Sequence, residues 1–376
     1  MQSEAATGMT TAPARLAILV STMGGGGAQR SMLRLAGALA QRGYAVDLVL
    51  GRAGGHYETE LSAGVRVVHL HARRLLLGVP ALARYLRRER PVALLTCLDY
   101  VNIVGLWARR LAGVRVRVVV NEQNTLSMAV RNSSRWRTRM MPWLIRRFYP
   151  WADGVVAVSK GVADDLAAAT GLPRARVQVI HNPVVTPLMR RMAAEPLEHP
   201  WFRPGEPPVI LALGRLVPQK DFGMLIRAFA RVRRARAARL LILGEGPERD
   251  GLAAAIAENG LQDDVQLPGW IVNPYPYMVR SRLFVLSSRW EGLPTVLIEA
   301  LFCGVEVVST DCPSGPREIL DGGQYGALVP VADVDELAEA MERALSRDPA
   351  RPRQESWLPF EQDVVAGRYL QTLVGT

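Results

Sequence analysis

The sequence predicts an α/β protein of two successive domains, each a parallel sheet with helices on both faces. Three observations predict it. The chain has 376 residues, more than one ordinary core accommodates. Short aliphatic runs alternate with helical patterns along the first half. After a proline-rich interruption, the same alternation begins again.

In the first half, residues 16–20 (Leu-Ala-Ile-Leu-Val) read as a strand, followed by a glycine turn from Gly24 to Gly27 and a helix over 29–41. Further strands are expected at 47–50, 65–70, 93–96, 117–120 and 154–158. The second half opens with a strand at 209–213, a glycine turn and a helix over 221–235. Strands at 240–243, 265–267, 283–286 and 305–309 continue it, and residues 360–373 read as a closing helix. The expected domains are therefore 1–185 and 209–355, joined by a linker at 186–208. Residues 356–376 are expected to pack back toward the first domain.

Composition narrows the class. Hydrophobic residues make up 49% and charged residues 22%, the balance of a globular chain. The three cysteines, Cys97, Cys303 and Cys312, form neither a metal-ligand spacing nor an even disulfide framework, so a reduced cytosolic setting is expected. No uncharged apolar stretch is long enough to span a bilayer, and residues 1–13 read as a loose tail.

Charge is unevenly placed. Residues 1–185 carry 25 Lys+Arg against 10 Asp+Glu, while the remainder carries 21 against 25. A basic first half calls for an anionic partner. Residues 131–151 stand out, with arginines interleaved among tryptophans and methionines. That composition suits a surface helix in a lipid interface, with Arg135, Arg139, Arg146 and Arg147 on phosphates and Trp136 and Trp143 among headgroups. The alternative is a helix packed on its own domain with a solvated basic face. No nucleic-acid-binding module accompanies the charge, so a nucleic-acid partner is not expected.

Chemistry concentrates around two glutamates, Glu291 and Glu299, separated by seven residues. Glu291 precedes a Gly292-Leu293-Pro294 turn, and a helix is expected from Thr295. Free amides at a helix N-terminus can hold phosphate or sugar oxygens, and a carboxylate a turn further on can accept from paired vicinal hydroxyls. By charge alone the pair could equally be a capping arrangement. Only two of the 46 basic residues are lysines, Lys160 and Lys220.

The string from Arg289 to Ala300 resembles the Glu–seven–Glu motif of retaining glycosyltransferases of family 4, which have the GT-B architecture: two Rossmann-like domains whose parallel sheets face across a cleft. Leu213-Gly-Arg215 with Lys220-Asp221, Leu243-Gly-Glu-Gly-Pro247, His181-Asn-Pro, Cys312-Pro-Ser-Gly-Pro and Tyr325-Gly-Ala resemble the same family. The likeness is fullest over about residues 150–345.

It implies roles residue by residue. Arg215 and Lys220 would grip the donor diphosphate and stabilise the charge that builds as it departs. Glu291 would lie against the donor sugar and Glu299 would bind ribose hydroxyls. Gly214, Gly244 and the backbone from Gly292 to Val296 would contact sugar and phosphate. Gly26 and Gly27 would face the donor diphosphate, or the acceptor, across the cleft, although a purely structural turn remains open there. The Asn121-Glu122-Gln123-Asn124 string resembles one in members that extend glycans on polyprenyl carriers, with glutamine where arginine is expected. Glu122 and Asn124 are thus the expected acceptor residues, with a hydrogen-bonded loop as the alternative.

No Asp-x-Asp pair lies in a donor-site context. Asp164-Asp165 and Asp263-Asp264 read as helix-edge charges, His181 as a hinge-loop residue, and Ser159 and Ser314 lack a nucleophile elbow. The expectation is a transferase moving a hexose or N-acetylhexosamine, with UDP as the expected carrier, to a hydroxyl on a lipid-linked or polysaccharide precursor. It would need no cofactor and no metal, and would sit on the cytoplasmic face of the inner membrane. A nucleotide-sugar epimerase of the same architecture and a non-catalytic sugar-nucleotide-binding subunit are the alternatives.

Overall fold

The computed structural model describes residues 13–375 apart from Gly25, residues 53–60, Arg73 and Ala350. Most of the N-terminal tail and one glycine of the first turn therefore lie outside the described residues.

Seven strands form the first sheet: β1 (Arg15–Val20), β2 (Ala45–Leu50), β3 (Val65–His69), β4 (Ala93–Cys97), β5 (Arg117–Glu122), β6 (Gly154–Ala157) and β7 (Val177–Val179). They run parallel in the order β3-β2-β1-β4-β5-β6-β7. β1 shows why the sheet is covered on both faces. Leu16, Ile18 and Val20 enter one core while Ala17 and Leu19 enter another, so neither face tolerates water.

The second sheet repeats the plan with β8 (Val209–Leu213), β9 (Arg239–Leu243), β10 (Val265–Gly269), β11 (Leu283–Leu286), β12 (Glu306–Thr310) and β13 (Ala327–Val329). Its order is β10-β9-β8-β11-β12-β13, again parallel. In each sheet the winding reverses beside the first strand, between β1 and β4 and between β8 and β11. Ligands of such sheets bind where the strands end at that reversal.

The chain passes from the first unit to the second near Val184 and returns near Phe360. Val184 and Val185 amides donate to the Phe360 carbonyl at 2.9 and 3.1 Å, and Gln362 N donates to Val185 O at 2.9 Å. The last helix, Gln362–Val374, then joins the first unit's core through Val365, Ala366, Tyr369 and Leu373. Asn121 bonds the Tyr369 hydroxyl, and Arg117 Nε donates to Thr372 O at 2.8 Å.

Several elements differ from the sequence reading. The first helix, Gly27–Gln41, begins two residues early, with Gly26 as its cap. Asp221 caps the helix Phe222–Ala235 through its side chain rather than opening it. The single surface helix expected over 131–151 is broken into Trp136–Arg139 and Met141–Phe148, followed by a tight turn at Tyr149–Trp151. Pro142 favours a fresh helix start there. Met141, Ile145 and Tyr149 face inward, whereas Trp136 and Trp143 are 69% and 58% exposed. Asp264 is no helix-edge charge: it is buried and clamped by Arg233 and Arg239, each at 2.6 Å.

Candidate active site

The strand ends of the two sheets face each other across a cleft of about 480 Å³. Its second-unit wall is built by two loops pinned together. Ser287 Oγ donates to Lys220 O at 2.7 Å, Arg289 N to Gln219 O at 2.8 Å, and Gln219 Nε2 to Trp290 O at 2.8 Å. Arg289 Nε adds a 2.7 Å bond to the buried Asp221. These ties hold the loop bearing Arg215 and Lys220 against the loop bearing Glu291.

Lys220 Nζ stands 2.5 Å from Glu291 Oε1, which also accepts from Ser288 Oγ at 2.6 Å. Arg215 is exposed on the cleft and makes no ion pair among the described residues. Gly214 and Gly244 allow the backbone beneath to close up. Gly244 has φ +145°, and a Cβ there would lie 1.8 Å from the Gly214 carbonyl oxygen. The helix Thr295–Phe302 points its uncapped first turn into the cleft, and Leu293, Pro294, Thr295 and Val296 line it.

Glu299, buried one turn along that helix, is met by the opposite unit. From that unit Arg34 Nη2 lies 3.3 Å and Arg30 Nη1 3.8 Å from its Oε1, and the Tyr275 hydroxyl of its own unit donates to the same oxygen at 3.2 Å. Burial, followed by the nearby Glu299 charge, pushes the Tyr275 hydroxyl well above its ordinary pKa, so Tyr275 stays a donor. Gly26 and Gly27 form the facing rim, and a Cβ at Gly27 would sit 3.2 Å from Thr295 Oγ1.

The structure thus brings every expected donor residue to one cleft. The acceptor expectations divide. Asn124 is exposed on the cleft, but Glu122 is not on it. The Glu122 carboxyl is 4% exposed and bonded to Asn102 Nδ2 at 3.0 Å and to the Tyr149 hydroxyl. Glu122 ends β5 with its side chain turned inward onto Asn102 and Tyr149, whereas Asn124 lies beyond the strand on the loop that reaches the cleft. Burial pushes Glu122 up to about 8, with the Asp99 charge adding to the rise. Gln123 lines the cleft in its place and exchanges bonds of 2.8 and 3.2 Å with Asn182.

Ser159 and Ser314 have a structural task. Both hydroxyls donate to the Gly292 carbonyl at 2.9 Å, one from each unit, and lie 2.8 Å from each other. His181 Nε2 and the Lys160 amide, both of the first unit, meet Glu318 of the second at 2.8 Å each. Sequence reading missed Arg30, Arg34, Tyr275 and the apolar rim of Trp270, Ile271 and Val272. One signal was available: Arg30 and Arg34 share a helix face at a spacing of four, directly after the glycine turn.

Two doubly wound parallel sheets with a shared cleft and a returning C-terminal helix define the GT-B class. Residues 207–347 match the family described as Glycosyl transferases group 1, and residues 25–187 match Glycosyltransferase Family 4. The chain belongs to this group 1, or family 4, of glycosyltransferases. It is 29% identical, over 90% of its length and 92% of the relative's, to an N-acetylgalactosamine-N,N'-diacetylbacillosaminyl-diphospho-undecaprenol 4-alpha-N-acetylgalactosaminyltransferase of Campylobacter jejuni. It is 26% identical, over 93% and 96%, to the lipopolysaccharide core biosynthesis glycosyltransferase LpsE of Rhizobium meliloti. Among solved structures, Anabaena HepE in complex with UDP and glucose aligns with a TM-score of 0.76 at 20% identity, covering 96% of this chain and 100% of that one.

Proposed function

We propose that this glycosyltransferase moves a hexose or N-acetylhexosamine from a UDP-sugar to a hydroxyl of a lipid-linked or polysaccharide precursor, with retention of anomeric configuration. The observation that carries the reading is the juxtaposition of the Arg215–Lys220 loop, Glu291, the open helix start at Thr295 and Glu299 around one cleft. That row matches a sugar, a diphosphate and a ribose in succession.

Departure of the nucleoside diphosphate creates negative charge. Arg215 and Lys220 offset it from fixed positions, so little reorganisation accompanies the step and no metal is required. Glu291 takes the donor sugar's hydroxyls, and Glu299 takes the vicinal ribose hydroxyls. The acceptor hydroxyl attacks from the face the diphosphate leaves, and a departing diphosphate oxygen receives its proton. Trp270, Ile271 and Val272 offer an apolar shelf for the base. The acceptor enters past Gln123 and Asn124.

UDP is favoured because it is the nucleotide bound by Anabaena HepE, and a lipid-linked acceptor because the Campylobacter relative's name specifies one. The enzyme would reach such an acceptor at the cytoplasmic face of the inner membrane, without nucleic acid. No helix of the described residues is long and apolar enough to cross a membrane. Arg135, Arg139, Arg146 and Arg147, exposed beside Trp136 and Trp143, would rest on anionic headgroups.

The test is a thermal-shift panel of UDP- and GDP-sugars followed by transfer to bacterial lipid extracts. A sugar-dependent shift with labelled lipid product supports the reading. Formation of a 2-epimer without acceptor, or binding with no transfer to any extract, replaces it.

A further inference from the structure

Arg34 is the one side chain among the described residues seen to bond the interdomain crossing and the second unit's nucleotide-facing carboxylate at once. It sits on helix Gly27–Gln41 of the first unit. Its Nη1 donates to the Val184 carbonyl at 2.6 Å, where the chain leaves that unit. Its Nη2 reaches the Tyr275 hydroxyl at 3.1 Å and Glu299 Oε1 at 3.3 Å, both of the second unit. The Arg34 and Glu299 side chains are 9% and 5% exposed, so water screens the pair weakly. Only a planar fork with several donors spans the two targets together; an ammonium acts as a point charge.

Among the described residues, every hydrogen bond to Glu299 ends on Oε1. The carboxylate is therefore fixed through one oxygen, leaving the other for a ligand. We propose that Arg34 is a positioning residue that ties nucleotide affinity to the closed arrangement of the two domains. It orients Glu299 for vicinal hydroxyls while bracing the crossing at Val184. This rests on the reading of Glu299 as the ribose-binding carboxylate. Because Glu299 is held from across the cleft, closure completes the nucleotide site, and nucleotide in turn favours closure.

The test measures UDP affinity by calorimetry and steady-state transfer in four proteins: wild type, Arg34→Gln, Glu299→Gln and the double variant. Arg34→Gln is expected to weaken UDP binding and raise donor KM by about 10- to 100-fold, the scale of a charge-assisted hydrogen bond. Its kcat should stay within about threefold, because Arg34 touches no reacting atom. Acting through Glu299, it should add little in the double variant beyond Glu299→Gln alone. Arg34→Lys keeps the charge without the fork, so KM should remain raised, and it replaces Arg34→Gln should that protein not fold.

If Glu299→Gln binds UDP like wild type, the underlying donor-site reading fails. If Glu299→Gln weakens binding while Arg34→Gln or Arg34→Lys behaves as wild type, this inference alone is overturned. A loss in kcat and thermal stability with KM unchanged also overturns it, since a merely structural arginine would behave that way.

Discussion

Lys220 and Glu291, 71 residues apart, form a nearly buried ion pair whose side chains are 15% and 8% exposed. Neither is there by packing default. One ends a turn after β8, the other leaves β11, and the loops bearing them are stitched through Ser287, Gln219 and Arg289. In the proposed reading, the pair holds a cation for phosphate beside an acid for sugar hydroxyls.

If the donor binds as proposed, breaking that pair removes charge from the reacting centre. Lys220→Ala and Glu291→Ala are each expected to lower transfer by about 10²- to 10³-fold. Circular dichroism should show both folded. Near-normal turnover in both would reject the donor-site assignment.

Gly292 sits directly against the facing domain. A Cβ there would fall 1.9 Å from the Gln123 carbonyl oxygen of the facing domain. Gly292→Ala should hold the cleft open and lower transfer about 100-fold, with the far-ultraviolet spectrum unchanged. Gly244→Ala strains a loop within the second domain, and urea unfolding should show a loss of about 2 to 4 kcal/mol.

Glu122 makes stability depend on pH. Its folded-state pKa, about 8, lies above the ordinary 4.5, so the native protein holds a proton that the unfolded chain releases between those values. Stability therefore falls as pH rises from about 4.5 to 8, at up to about 1.4 kcal/mol per pH unit. Glu122→Gln should flatten that slope in urea unfolding across the range. An unchanged slope would place the titration elsewhere.

The arginine–tryptophan face is tested by flotation with anionic vesicles. Replacing Trp136 and Trp143 with alanine should reduce association several-fold, and salt should weaken what remains. Equal flotation of the variant and wild type would point to a solvated basic face. Arg147 already stacks on Phe148 and Trp151 at 5.5 and 5.6 Å, so its replacement should also loosen local packing.

The sheets were legible because most strands are aliphatic runs buried on both sides, and the donor residues because each lies in a short local motif, Glu291 to Glu299 in one uninterrupted string. The edge strands β7 and β13 were not, since three residues carry no periodicity. Glu122 was misplaced because a polar string at a strand end does not reveal which residue turns inward; Asn102 and Tyr149, 20 and 27 residues away in sequence, hold it there. Arg34 escaped notice because it meets Glu299 only across the two domains, 265 residues apart in sequence, and Tyr275 because it reaches Glu299 from a separate helix 24 residues away.

The most direct measurement is a structure of the protein with an intact UDP-sugar bound. The diphosphate is expected within hydrogen-bond reach of Arg215 and Lys220, the ribose on Glu299 and the sugar on Glu291. A nucleotide bound outside this cleft, or those four side chains left untouched beside it, would contradict that expectation.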